Sequence, residues 1–165
     1  MIVRDRSNSV KRQFEAELHP GLDNVLFGVW LVSRATTDLL DSTLRPSGLD
    51  ADEFAVYSLL MSADAVTPSS LARWMAAPAT TVSSYVKRME ARGHVERVVN
   101  AEDRRSYALR LTNAGRQAHS DAGSLFLPVL QALRDALGTE EPKVQRALKS
   151  VRRSVDQVRG LTHLA

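Results

Sequence analysis

Past Gly93 the apolar residues stop recurring at helical spacing and recur at every second position. Val95-Glu96-Arg97-Val98-Val99 and Tyr107-Ala108-Leu109-Arg110-Leu111 alternate as half-buried strands do, and the polar residues 100–106 between them read as a hairpin loop. No other segment of the 165 residues alternates in this way. One short hairpin in otherwise helical text cannot build a sheet-based fold. The expected class is mainly α with a small β-hairpin.

Around the hairpin, turn residues divide the chain into helices. Val10, Phe14 and Leu18 form a stripe ended by His19-Pro20-Gly21. A longer row follows from a cap at Asp23, through Leu26, Val29, Ser33, Thr36 and Leu40 to Leu44, closed by Arg45-Pro46-Ser47-Gly48. Asp50-x-x-Glu53 is a capping box ahead of Phe54, Tyr57, Leu60 and Met61. Thr67-Pro68 opens a short helix carrying Leu71, Ala72 and Met75. After the turn Ala76-Ala77, Pro78 suits the first position of a helix burying Val82, Val86 and Met89, with Tyr85 at its margin and Arg92-Gly93 at its end. Thr112 caps a helix reaching about Leu137, in which Gly123 and Pro128 predict a bend. A last helix follows Glu140-Glu141 and places Val144, Leu148, Val151, Val155 and Val158 at alternating spacings of four and three.

Several function classes drop out at once. With no Cys there is no disulfide, no thiolate zinc site and no cysteine nucleophile. His19, His94, His119 and His163 form no i, i+3 or i, i+4 pair, so no metal is expected. No phosphate-binding glycine loop or hydrolase motif is present; the chain reads as no enzyme and needs no cofactor. No apolar run approaches the roughly 20 residues that span a bilayer. The first ten residues hold Arg4, Asp5, Arg6 and Asn8 without an apolar core, so the expectation is a cytoplasmic protein that does not engage the membrane.

The net charge of +3 is unevenly spread. Residues 71–111 carry eight Lys/Arg against four Asp/Glu, whereas residues 1–70 carry six against ten. A basic middle on a polarised molecule suits a polyanion met by one face. The order of that middle is helix, short helix, turn, helix and hairpin, which is the order of a winged helix-turn-helix. Its second helix exposes Thr80, Thr81, Ser83, Ser84, Lys87 and Arg88 opposite the buried row. Small hydroxyl side chains let a helix approach base edges closely, and the two cations neutralise phosphate. Arg104 and Arg105 at the hairpin tip suit an adjacent narrow minor groove. Such residues are also common on plain solvated surfaces, and a winged helix used only to bind other proteins is the alternative; exposed apolar residues at the tip would favour it.

The same stretch resembles a known family. Ala79-Thr80-Thr81-Val82-Ser83, Arg88-Met89-Glu90, Arg92-Gly93-His94-Val95-Glu96-Arg97, Glu102-Asp103-Arg104-Arg105 and Leu111-Thr112-Asn113-Ala114-Gly115 resemble the multiple-antibiotic-resistance regulator (MarR) family without a gap. The resemblance implies a homodimeric transcription regulator, usually a repressor, bound to a pseudo-palindromic operator in double-stranded DNA. It implies that Arg105 enters the minor groove, that Asp103 supports the wing, and that Thr80, Thr81, Ser83 and Ser84 lie at the major groove. The chain departs from the family where Ser84 stands for a common Arg, Ala76 for a common Gly, Pro78 for a common Ser and His94 for a common Leu.

Three regions follow: an arm and first dimerisation helix (1–48), the winged helix-turn-helix (49–111) and C-terminal dimerisation helices (112–165). The dimer seam is expected at Phe126, Leu130 and Leu133 with Val144, Leu148, Val151, Val155 and Val158, which expose more apolar surface than one winged domain covers. The alternative is an ordinary bundle within one subunit. Family members often bind small aromatic or anionic effectors. Trp30, Arg34 and Tyr57 are the candidate residues for one here, and core packing with a surface Arg is the other reading of that trio.

Overall fold

The computed structural model describes residues 23–63, 65–99 and 106–162. The stripe of Val10, Phe14 and Leu18 lies outside them. Helix α1 (Val25–Leu44) begins at Asn24, whose side-chain oxygen accepts from the Phe27 amide at 2.9 Å; the cap is therefore one residue later than expected at Asp23. A 3-10 turn (Arg45–Ser47) and Gly48, in the left-handed region at φ 75°, turn the chain into α2 (Ala51–Ser62). There the capping box forms, with the Glu53 amide donating to Asp50 at 2.7 Å.

Helix α2 is the centre of the core. Glu53, Phe54, Val56, Tyr57 and Leu60 are buried, whereas Met61, expected inside, is exposed. Apolar residues on more than one side blur the stripe that sequence periodicity relies on. Helix α3 (Pro68–Met75) is capped by Thr67, and α4 (Ala79–Ala91) packs Val82, Tyr85, Val86 and Met89 onto the core; Tyr85, expected at the margin, is buried. Strands β1 (Val95–Val99) and β2 (Tyr107–Leu111) pair antiparallel, with Val95 opposite Leu111 and Val99 opposite Tyr107. Val66 adds one further bridge by exchanging two backbone hydrogen bonds with Leu109, which ties the hairpin to the segment before α3.

Helix α5 (Asn113–Leu137) runs without interruption across Gly123 and Pro128. After a 3-10 turn (Gly138–Glu140), α6 (Glu141–Thr162) completes the described chain. Thr112 holds the start of α5 in two ways: its hydroxyl oxygen accepts from the Gly115 amide at 3.1 Å, and its O–H donates to the Gly93 carbonyl at 2.7 Å. The Thr112 amide donates to the His94 carbonyl at 3.0 Å. This packing brings the Gly115 backbone so near His94 that a Cβ at residue 115 would stand 2.1 Å from the His94 oxygen.

The Leu-Thr-x-x-Gly pattern thus has a physical cause: the last residue must lack a side chain where two backbones touch. Gly115→Ala should lower stability by about 3 kcal/mol, since neither backbone can yield without breaking the Thr112 contacts. Urea unfolding measures this, and a loss below about 0.5 kcal/mol would show that α5 is free to shift.

Candidate nucleic-acid interface

Helix α3 ends at Ala76, which adopts φ 52° and ψ 33°, the left-handed conformation that glycine accepts most easily. Its amide and that of Ala77 close the helix onto the Arg73 and Ala72 carbonyls. Pro78 is the N-cap of α4 rather than its first helical residue, and it offers no side-chain cap. Its carbonyl accepts from Thr81 and Val82 instead.

Beyond this tight turn, one face of α4 is anchored by Val82, Val86 and Met89, and the other presents Thr80, Ser83, Ser84 and Lys87 to solvent, with Thr81 half-buried beside them. The Ser83 hydroxyl donates to the Ala79 carbonyl at 2.8 Å, which keeps its side chain close to the helix. This face is small, hydroxyl-rich and open.

Arg88 is placed differently from the sequence expectation. Its Nε donates to Glu53 Oε1 at 2.8 Å, its Nη2 lies 3.7 Å from Asp50, and its guanidinium sits 4.9 Å from the Tyr85 ring centroid. Arg92 donates from Nη1 to the other Glu53 oxygen at 3.2 Å. Glu53 itself is only 2% exposed. Burial pushes its carboxyl up, but the two guanidiniums prevail and hold it below its ordinary value. Arg88 therefore ties α4 to α2 instead of extending from the free face. The Tyr85 hydroxyl adds a second tie, donating to Asp52 at 2.7 Å, and burial followed by that bond raises its pKa. Sequence reading missed the Glu53–Arg92 pairing because Asp50-x-x-Glu53 was already explained as a cap.

In the hairpin, Arg97 grips Glu90 of α4 through two bonds of 2.6 and 3.2 Å and covers the Tyr107 ring. Across the strands, Arg110 pairs with Glu96. The tip residues Asp103, Arg104 and Arg105 lie outside the described residues.

The three effector candidates are not brought together. Trp30 is 55% exposed and stacks on Phe27, and Arg34 is exposed along the same helix. Tyr57 is fully buried with its hydroxyl bonded to His94 Nδ1 at 2.8 Å, so it has no free surface to offer a ligand beside Trp30. A cavity of about 420 Å³ does lie between α1, α2 and α4, lined by Asp41, Arg45, Asp50, Glu53, Arg88 and Arg92 among others.

A MarR family profile matches residues 47–106, from the 3-10 turn after α1 to the residue before β2. Over those 60 of its 165 residues the chain is similar to the MarR family. It is 25% identical over 87 residues to the multiple antibiotic resistance protein MarR of Salmonella typhimurium, a match covering 53% of this chain and 60% of that protein. Among solved structures, the Mycobacterium tuberculosis regulator MosR in complex with DNA has a TM-score of 0.72 at 25% identity, covering 83% of this chain and 99% of MosR. An Escherichia coli MarR variant complexed with operator DNA has a TM-score of 0.71 at 23% identity, covering 81% and 98%.

The expected seam residues divide. Phe126 is half-buried and packs its ring 5.1 Å from Phe54, so it belongs to the core of the chain rather than to an open face. Leu130, Val144 and Val151 are half-buried, and Leu133, Leu148, Val155 and Val158 are exposed. On α1, Val25, Leu26, Val29 and Val32 are exposed as well.

Glu53→Gln tests the tie between α2 and α4. Both guanidiniums remain partly exposed, so the loss should be about 1–3 kcal/mol, below that of a fully buried pair. Because the folded carboxyl sits below its ordinary value of 4.5, its stabilisation is complete above that value and disappears as pH falls through the lowered one. The gap between wild type and variant in urea unfolding should therefore close in acid. A gap independent of pH would assign the loss to packing.

Proposed function

We propose that the protein is a non-enzymatic transcription regulator that binds double-stranded DNA as a homodimer at a pseudo-palindromic operator, most simply as a repressor. The open face of α4 carries this reading: Thr80, Ser83, Ser84 and Lys87 project from a helix whose opposite side is locked into the core. A helix held in this way can enter a major groove without repacking. The DNA complexes of MosR and the MarR variant share the fold and support the same use of it. Lys87 serves the phosphate backbone, and Thr80, Thr81, Ser83 and Ser84 serve base edges. By family likeness, Arg104 and Arg105 extend the contact into the minor groove, supported by Asp103. Arg88 acts indirectly, by fixing the angle of α4 against α2.

The dimer would use the exposed rows of α1, α5 and α6. Leu148, Val155 and Val158 are 51%, 36% and 57% exposed, a run of apolar surface that a lone soluble helix does not retain without cost. Regulation by a small aromatic or anionic effector is part of this reading. Trp30 and Arg34 on α1 are its candidates, with Tyr57 reassigned to the core.

A fluorescence-anisotropy titration with duplex from upstream of the protein's own coding region, against scrambled competitor, tests the function. Tight, competitor-resistant binding is expected. Lys87→Gln and Arg105→Ala should each weaken it and flatten the log–log salt dependence by about 0.9 for every phosphate no longer neutralised. Unchanged slopes in both variants would assign the duplex to another face. Leu148→Glu with Val155→Glu should give monomers in sedimentation velocity with at least about tenfold weaker DNA binding, because half-site contacts no longer add. A dimer that survives both changes would place the seam elsewhere.

A further inference from the structure

His94 stands where the recognition helix, the wing and two other helices meet. It follows Gly93 at the end of α4 and precedes β1 directly. Its amide donates to the Met89 carbonyl of α4 at 2.9 Å, and its carbonyl accepts from Thr112 at the start of α5. Its ring crosses that of Tyr57 edge-on, with centroids 5.8 Å apart, and Nδ1 lies 2.8 Å from the Tyr57 hydroxyl of α2.

The Tyr57 side chain is fully buried, and among the described residues its hydroxyl has one hydrogen-bond partner, His94 Nδ1. The phenolic proton is thereby left for His94 Nδ1, which must be unprotonated to accept it. We infer that His94 is a positioning residue of the DNA-binding face: its neutral imidazole pins the junction of recognition helix and wing, and acidification unpins that junction and weakens DNA binding. This rests on the DNA-binding reading above.

Protonation would remove the acceptor at Nδ1 and set a cation beside Arg92. The charged groups around the ring do not offset this. From α2, Glu53 attracts an imidazolium, but its two oxygens already serve Arg88 and Arg92. From α5, Arg116 is engaged elsewhere, donating to the Leu111 carbonyl and to Asn113. From β1 and β2, Glu96 is paired with Arg110, and Arg97 with Glu90. Burial, then Arg92, hold the His94 pKa below its ordinary 6.5. The pin is therefore complete above that value and is lost as pH falls through the lowered one.

The sign separates this from generic electrostatics. Protonating histidines makes a protein more positive and ordinarily tightens DNA binding as pH falls. Here wild-type affinity for the upstream duplex should drop about threefold to tenfold from about pH 7.5 to about pH 5.5, the range a difference of up to one pKa unit between states allows. His94→Leu, which offers the Tyr57 hydroxyl no acceptor, should bind at about the weakened level at both pH values and show no further drop. His119 stays in both proteins, bonded to Ser58 and stacked on Phe54, so its titration cancels in the comparison. Parallel pH profiles for wild type and variant would overturn the pin.

A second measurement uses the free wild-type protein. In an NMR titration the His94 ring should titrate below pH 6.5, with the Val95 and Thr112 amides shifting at the same midpoint. Titration at or above that value, or amides that stay still, would overturn the inference without reference to DNA. Failure to bind any duplex at the higher pH would instead defeat the DNA-binding reading and leave this titration to decide on the pin.

Discussion

The contact between the His94 backbone and the first turn of α5 is the constraint on which the rest of the proposed DNA-facing half depends. At this point the recognition helix has ended, the wing is about to begin and the long helix starts after β2, so three elements share a few backbone atoms. Only a residue without a side chain at 115 allows the approach, and Thr112 bonds both Gly93 and Gly115 from within the same turn. The angle between the recognition helix and α5 is therefore set by backbone geometry, and side-chain packing refines it. A rigid joint of this kind suits the proposed presentation of a helix to a groove of fixed width.

On the opposite side of α4 the restraint is electrostatic. One buried carboxylate, Glu53, receives two guanidiniums, from Arg88 in the last turn of α4 and from Arg92 at its C-cap, while Asp52 receives Tyr85. Buried ion pairs add little net stability, since desolvation offsets attraction. What they supply is direction: Glu53 with its cap at Asp50 fixes the first turn of α2, and that turn fixes the rotation of α4. The recognition helix is thus held by backbone at its end and by charge along its flank. Its outward face is left to hydroxyl groups and Lys87.

Local signals were legible and distant ones were not. The strands Val95–Val99 and Tyr107–Leu111, the capping box of α2 and the caps at Thr67 and Thr112 each follow from residues within a few positions of one another. Smaller misplacements are local as well: Asn24 caps α1 where Asp23 was expected, and Pro78 sits at the cap itself. By contrast, Tyr57 pairs with His94 across 37 residues, and Arg88 and Arg92 reach Glu53 across 35 and 39. No periodicity announces such pairs. Arg88 therefore read as a free cation and Tyr57 as a ligand contact, when both complete interactions begun in another helix. Phe126 lay on the same stripe as Leu130 and Leu133, and only its ring contact with Phe54 shows that this stripe turns inward at one end.

The other end of that stripe bears on how the two halves of the molecule cooperate. Helix α6 has an apolar row with exposed Leu148, Val155 and Val158, and its remaining face is dominated by Lys143, Arg146, Lys149, Arg152 and Arg153. A helix draws most of its stability from tertiary packing of its apolar face. Among the described residues of the chain α6 finds little of that beyond the Arg152 bond to the Trp74 carbonyl and the half-buried Val144 and Val151. In the proposed dimer, a second copy would cover that row together with the exposed side of α1. The same pairing would fix the distance between two recognition helices near one DNA turn, about 34 Å. Burial of the row and spacing of the readers are then one requirement. A ligand that reshaped the α1–α6 surface would alter the spacing without touching α4, which is the physical route by which Trp30 and Arg34 could report to a DNA face they do not contact.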